Sequence, residues 1–442
     1  MEKFIISGGK KLQGKVSVPG AKNVALKALV AACLTNEQVT IHNIPLISDF
    51  FVMADIIRDL GGTVDLQDHT VTITMHTFQK TEISLEEASQ IRTSSMFLSP
   101  LLARNKHAII PNPGGCRLGA RPIDRVIEGL QKMGADIMYK SEDGFFHAKT
   151  TGLVGTTYHF EKNTHTGTET LILAAVLAKG KTIFTNAAQE PEIDELIALL
   201  NSMGAQIKRV EDRTIEIEGV EKLHGTSFTI LPDRNEVVTL AIAAIVTGGD
   251  ILVQGTKKEG LKEFLEKLEE VGGGIQEEAE GIRFFSKGKL QATDVTTQPY
   301  PGFMTDWQAP WAVLMTQAQG ISTIHETVFE NRFSYVTELR KMGAQIELFN
   351  PKVENPQEFY NFNLEDDSPD YFHAIKIQGP MKLHNAVVQI SDLRAGATLV
   401  LGALAAEGES IIFGVKHLDR GYEKFEERLE KLGAAIERVK GE

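Results

Sequence analysis

Residues 261–275 read Leu-Lys-Glu-Phe-Leu-Glu-Lys-Leu-Glu-Glu-Val-Gly-Gly-Gly-Ile. Leu261, Phe264, Leu265 and Leu268 recur at helical spacing on one face, with charged residues on the other. The glycines that follow suit the left-handed position just past a helix end, and Ile275 opens a strand. The stretch therefore reads as an amphipathic helix, a glycine stop and a strand.

The same joint recurs along the chain. It stands at Gly61-Gly62-Thr63-Val64, Gly134-Ala135-Asp136-Ile137, Gly204-Ala205-Gln206-Ile207, Gly272-Gly273-Gly274-Ile275, Gly343-Ala344-Gln345-Ile346 and Gly433-Ala434-Ala435-Ile436. The first glycines lie 73, 70, 68, 71 and 90 residues apart, and self-similarity at a nearly fixed period marks repeat architecture. Units also carry a second helix with a strand after it: 171–179 before 182–184, 237–246 before 251–253, and 397–406 before 411–413. These helices are apolar almost all round and are predicted to be buried. The fold class is α/β: six similar repeats in two groups of three, apolar helices inside and sheets outside. The last interval is about twenty residues longer than the rest. Its excess lies around 350–379, where 363–370 (NLEDDSPD) is acidic and turn-rich and is expected to form a solvated loop or hairpin.

Length and composition narrow the function. A chain of 442 residues suggests two or three domains, and 42% apolar with 24% charged residues fits an ordinary globular protein. No apolar run reaches the ~18 residues of a membrane span, and MEKFIISGGKKL has no secretory apolar region. Two cysteines make no disulfide framework and fit a reducing cytoplasm. A net charge of −13 argues against a nucleic-acid partner, so cations for a small anion must be concentrated in one place. The twelve histidines show no metal-ligand spacing.

Chemistry is most legible at 113–122, Pro-Gly-Gly-Cys-Arg-Leu-Gly-Ala-Arg-Pro. Cys116 sits beside Arg117 and Arg121, which favour thiolate and can lower the thiol pKa below about 8.5. Backbone N–H groups and guanidinium forks there suit an anion. The reading is a reactive thiol beside a phosphate or carboxylate; an exposed loop with an incidental cysteine is the plainer one. Cys33 reads as a small buried hydrophobe.

Lys22 and Asn23 precede an apolar helix at 24–34, where a lysine opposes the helix dipole unless an anion is bound. Residues 91–95, 165–168 and 302–306 look like further helix starts, fit either for anions or for simple capping. Trp307 and Trp311 read as core. Ser391–Arg394 and His417–Tyr422 each set an arginine beside a carboxylate, as a surface ion pair would. Lys22, Arg92, Arg121, Arg394 and Arg420 nevertheless make five cations at equivalent-looking turns, which one shared anionic ligand explains better.

Together these motifs resemble those of the UDP-N-acetylglucosamine enolpyruvyl transferases over essentially the whole chain. The resemblance is carried by PGAKN (19–23), PGGCRLGARP (113–122), NAAQEPEI (186–193), LPDR (231–234), TD (305–306) and ETVFENRF (326–333). SDLRAGATLVLGALAAEG (391–408), HLDRGYE (417–423) and LGAAIERVKGE (432–442) extend it. It implies a two-domain inside-out α/β barrel with three repeats per domain: 1–20 plus 231–442, and 21–230 with the cysteine loop as a lid over an interdomain cleft.

The activity implied is transfer of the enolpyruvyl group of phosphoenolpyruvate to the 3-hydroxyl of UDP-N-acetylglucosamine, by addition and elimination. This is the committed step of peptidoglycan synthesis, and hence of cell-wall biogenesis, cell shape and division. By resemblance Cys116 is the proton donor, able to form a pyruvate adduct and open to fosfomycin, and Asp306 is the base. Lys22, Arg92, Arg121, Arg394 and Arg420 would hold phosphoenolpyruvate, with Lys22, Arg394 and Arg420 also counted as catalytic. Asn23, Arg92, Arg121, Pro122, Ile123, Asp124, His165, Thr166, Gly167, Asp306 and Val328 would meet the sugar nucleotide, with Pro122, Ile123 and Asp124 on a uridine-contacting strand. Asp392 would hold Lys22 or Arg394. No cofactor, metal, nucleic acid, membrane or obligatory oligomer is implied, and the location is cytoplasmic.

His165-Thr166-Gly167-Thr168 stands where the family commonly has Ser-Val-Gly-Ala-Thr, Val126 replaces a frequent histidine, and Met304 replaces a proline. Two other readings are 3-phosphoshikimate 1-carboxyvinyltransferase, which shares the donor, and a non-catalytic regulatory paralogue that binds UDP-sugar.

Overall fold

The computed structural model describes residues 2–113 and 123–440. All six predicted joints are present. A helix ends before each first glycine, and Gly61, Gly134, Gly204, Gly272, Gly343 and Gly433 take φ between 90° and 101°. At Gly134 two bonds close the helix: Gly134 N–H to the Gln131 carbonyl and Ala135 N–H to the Leu130 carbonyl, both 3.0 Å. This satisfies carbonyls that the helix end would otherwise orphan. The strand Asp136–Lys140 then begins.

Six sheets result. One shows the plan. The strand after the joint, Gln206–Glu211, pairs antiparallel with Thr214–Glu218; that strand pairs antiparallel with Lys181–Thr185, which pairs parallel with Thr157–His159. Four other sheets follow the same order, one of them with an added strand. The sixth has three strands, His107–Pro111, Phe145–Lys149 and Asp136–Lys140, with a parallel bridge from Glu82 to Ile109 at the fourth place.

Between the sheets run nearly wholly buried helices: α1 (Lys22–Ala32), α2 (His165–Ala175), α3 (Arg234–Val246), α4 (Thr305–Thr316) and α5 (Leu393–Ala405). Beside the three-stranded sheet the segment 92–105 takes this place, changing from 3-10 to α to π geometry. These helices start earlier than their apolar runs predict, because polar first turns belong to them. Asp392 accepts from the Arg394 and Ala395 amides at 3.0 Å, Asp233 caps α3, and Thr164 caps α2. Each such cap is worth about 1 kcal/mol.

The chain divides into two compact units, one of Met1–Val18 with Pro232–Glu442 and the other of the described residues within 19–231. Each holds three of the sheets and its own core. Trp307 and Trp311 are core as predicted, packed edge-on against Phe303 and Phe264 at centroid distances of 5.4–6.0 Å. Cys33 is buried, at the end of α1 rather than deep within it. Among the described residues no helix is long and apolar enough to cross a membrane.

Of the 350–379 excess, 363–370 is turn-rich with none of its residues buried, as expected. Ala374–Gly379, however, is a central strand of its sheet, and Tyr360, Phe362 and His373 are buried. No signal in the chain pointed to the three buried rings, which flank the acidic stretch and anchor it.

Candidate active site

Most of the predicted residues that the structure describes stand in the first turn of a helix. Lys22 opens α1, Arg92 opens the 3-10 turn, His165, Thr166 and Gly167 open α2, Asp306 is second in α4, and Arg394 is second in α5. Asp124 begins the helix Asp124–Lys132 with Ile123 as its N-cap, so the uridine-contacting strand expected there is a helix start instead. Helix N-termini direct unpaired N–H groups and partial positive charge outward, which suits an anion and favours carboxylates such as Asp306. Cys116, Arg121 and Pro122 lie outside the described residues.

In the unit of residues 232–442, Asp306 is gripped from both sides. Arg332 pairs with its Oδ1, and Arg394 Nη2 lies 3.3 Å from Oδ2. Burial alone would push the Asp306 carboxyl up, but Arg394 and Arg332, with Arg234 behind them, overcome it and hold the group well below the usual carboxylate range. Arg394 is therefore no surface pair. It is 8% exposed, donates through Nη1 to the Tyr422 hydroxyl at 3.1 Å, and lies over that ring. Tyr422 in turn meets Thr239 of α3 at 2.8 Å. Asp392 keeps Arg394 in place through the backbone amide, as its cap, and its other oxygen accepts from Ser334 at 2.9 Å.

Arg420 lies in the turn after the short helix Val415–His417. His417 is held below its ordinary pKa by burial first and by the Lys416 and Arg420 charges next, so this corner is already rich in cations. Arg234 opens α3, donates to the Gly260 carbonyl at 3.0 Å, and stacks near Tyr300 and Trp307. Val328 sits on a loop tied down by Glu326. Its Oε1 accepts from the Val328 and Phe329 amides at 2.7 and 3.1 Å, and its Oε2 accepts from Thr305 at 2.8 Å.

In the other unit Lys22 pairs with Asp49 at 2.7 Å, so a protein carboxylate supplies the counter-charge that the sequence reading assigned to Asp392 or to a ligand. Asn23 is half-buried beside it. Beneath the first turn of α2, Glu169 is fully buried, 3.3 Å from Lys27 and 3.6 Å from His165, and burial pushes its carboxyl up despite these neighbours. Thr164 receives the Gly167 amide at 3.2 Å and so caps this helix. Cys33 is a poor nucleophile: burial raises its thiol to about 12.

Sequence reading missed Arg332, Arg234, Tyr422, Glu326 and Asp49. The first four lie inside quoted motifs (ENRF, LPDR, HLDRGYE and ETVF), so the signal was present but their roles were not separable. Asp49, 27 residues beyond Lys22, had no signal in the chain.

Comparison with known proteins extends this picture. Residues 6–429 match the family model described as EPSP synthase (3-phosphoshikimate 1-carboxyvinyltransferase). Over 443 residues the chain is 44% identical to the UDP-N-acetylglucosamine 1-carboxyvinyltransferase of Koribacter versatilis, covering 99% of this chain and 97% of that one. Identity to the protein of the same name from Solibacter usitatus is 43%, over 99% and 100%. Among solved structures, the enolpyruvyl transferase NikO from Streptomyces tendae superposes with a TM-score of 0.86 at 24% identity, covering 100% and 99% of the two chains. EPSP synthase from Acinetobacter baumannii gives 0.72 at 19%, with both chains fully covered. These two likenesses show a common fold.

Proposed function

The chain belongs to the EPSP synthase family of enolpyruvyl transferases, among the relatives named UDP-N-acetylglucosamine 1-carboxyvinyltransferase, and we propose that it catalyses the reaction in that name. The enolpyruvyl group passes from phosphoenolpyruvate to the 3-hydroxyl of UDP-N-acetylglucosamine, phosphate leaves, and the product enters cell-wall synthesis. Full-length identity above 40% to several relatives of this name carries the choice of acceptor over shikimate 3-phosphate. The paired-helix, outer-sheet plan supports reading each unit as three repeats of an inside-out α/β barrel, and the likeness of fold supports it too.

Residues proposed for phosphoenolpyruvate are Lys22, Arg92, Arg121, Arg394 and Arg420. Those for the sugar nucleotide are Asn23, Arg92, Arg121, Pro122, Ile123, Asp124, His165, Thr166, Gly167, Asp306 and Val328. Cys116 protonates the methylene carbon while the sugar oxygen bonds to C2 and gives its proton to Asp306. The tetrahedral adduct then returns a proton from that methyl carbon to the Cys116 thiolate and expels phosphate, which takes up the proton held by Asp306. Cations stabilise the phosphate and carboxylate throughout.

The arginine grip on Asp306 supports one further feature. A carboxylate held so far below its usual range is a weak base, so Arg394 must be drawn toward the anionic substrate before Asp306 can accept a proton. Substrate binding thereby raises the basicity of Asp306. Mass spectrometry of the product tests the reaction: a UDP-sugar enlarged by one enolpyruvyl group supports it, and unchanged UDP-N-acetylglucosamine after incubation with phosphoenolpyruvate refutes it.

A further inference from the structure

The loop bearing Val328 is fixed by a part of the chain that the repeat does not require. Within the long last interval, residues 350–373 fold into a small aromatic cluster. Tyr360, Phe362 and His373, each 5% exposed, stack with ring centroids 4.9–5.2 Å apart. His373 Nε2 meets Asp367 at 3.0 Å and its amide donates to Asn350 at 2.8 Å. Two main-chain bonds then leave the cluster. Asn361 N–H donates to the Thr327 carbonyl, and the His373 carbonyl accepts from Glu326 N–H, both at 2.7 Å. The Tyr360 hydroxyl lies 3.1 Å from His325 Nε2, one residue earlier. Three successive residues, 325–327, are thus tied to the insertion, and the Glu326 carboxylate carries the constraint to the amides of Val328 and Phe329.

Asp306 is held differently. Its partners are Arg332 and Arg394, and the Arg332 carbonyl accepts from Gln308 of α4 at 3.3 Å. The loop has other ties, since Thr305 beside Asp306 donates to Glu326 and the Thr327 amide donates to Thr297, both at 2.8 Å. Slackening the insertion therefore loosens the loop in part, while both arginine contacts of Asp306 stay in place.

Building on the function proposed above, which places Val328 against the sugar nucleotide, we propose that residues 350–373 are a positioning element that sets acceptor affinity. They act by fixing the backbone of 326–329, and they leave the chemical step to the arginine-held carboxylate.

The test is Phe362→Ala in the full chain, with Phe362→Leu restoring apolar volume. The Ala variant is expected to raise KM for UDP-N-acetylglucosamine about tenfold, with kcat within about twofold and KM for phosphoenolpyruvate unchanged, and the Leu variant to recover most of the loss. Amides of 326–329 should exchange with solvent about tenfold faster, while those of α5 stay as protected as before. Should the Ala variant fail to fold, Tyr360→Phe removes only the hydroxyl on His325 and is expected to give a smaller change of the same pattern. A fall in kcat alone, equal rises in both KM values, or unchanged exchange at 326–329 overturns the proposal. If the wild-type protein forms no product, the assigned reaction has failed instead, and hydrogen exchange alone decides whether the insertion fixes the loop.

Discussion

Replacing Asp306 by Asn keeps the side chain's shape and removes the charge that separates two guanidinium groups. Arg332 and Arg394 are 5% and 8% exposed, so neither can turn to water for compensation. An amide oxygen can accept from one of them, but its NH₂ must then face the other. At about 4 Å and an effective dielectric near 20, each charge pair contributes roughly 4 kcal/mol before desolvation. Removing one partner of a buried pair costs about 3–5 kcal/mol net. A quarter of the Asp306 side chain is exposed, so solvent screening reduces the expected loss to about 2–3 kcal/mol at neutral pH. Urea unfolding followed by tryptophan fluorescence suits the measurement, because both tryptophans lie on α4 just beyond Asp306.

The pH dependence carries a definite sign. A carboxyl with a depressed folded pKa stabilises the fold above its unfolded value of about 3.9, and that contribution fades as pH falls. The gap between wild type and Asp306→Asn should therefore narrow in acid. Activity should fall more than stability: loss of a general base lowers kcat by about 10²–10⁴, with UDP-sugar affinity within about threefold. Equal stability of the two proteins at pH 7, or a gap that widens in acid, would refute the two-arginine account.

Cys116→Ser should lose most activity and resist fosfomycin, and peptide mapping of the wild type should find the label on Cys116, since the Cys33 thiol is buried and pushed up to about 12; labelling at Cys33 contradicts this. Gly134→Ala meets no neighbour closer than 3.7 Å yet must hold φ at 90°, so conformational strain alone should cost about 1–2 kcal/mol by chemical denaturation. His325 is lowered to about 4, by burial first and by His373 next. The unfolded chain takes that proton near pH 6.5, so stability should decline as pH drops from about 6.5 to about 4, and His325→Gln should flatten that slope. An unchanged slope in the variant would place the titration elsewhere.

The repeat was legible because its signal is local: an amphipathic face, a glycine at positive φ and a β-branched strand lie within fifteen residues of 261–275. Buried helices were legible too, but their starts were not. Lys22, Arg234 and Arg394 look like loop residues until the fold shows them as first-turn positions capped or paired from elsewhere. Pairings such as Lys22 with Asp49 or Asp306 with Arg332 join segments 26–27 residues apart, and no local pattern encodes how those segments pack. The insertion was legible in part: 363–370 is the unburied, turn-rich loop its carboxylates suggest, while the three buried rings that anchor it follow no periodic pattern.

Whether this chain moves an enolpyruvyl group onto a sugar nucleotide is decided by phosphate release from phosphoenolpyruvate, measured with each acceptor in turn. Release is expected with UDP-N-acetylglucosamine and not with shikimate 3-phosphate; release with shikimate 3-phosphate, or with neither, would contradict the account.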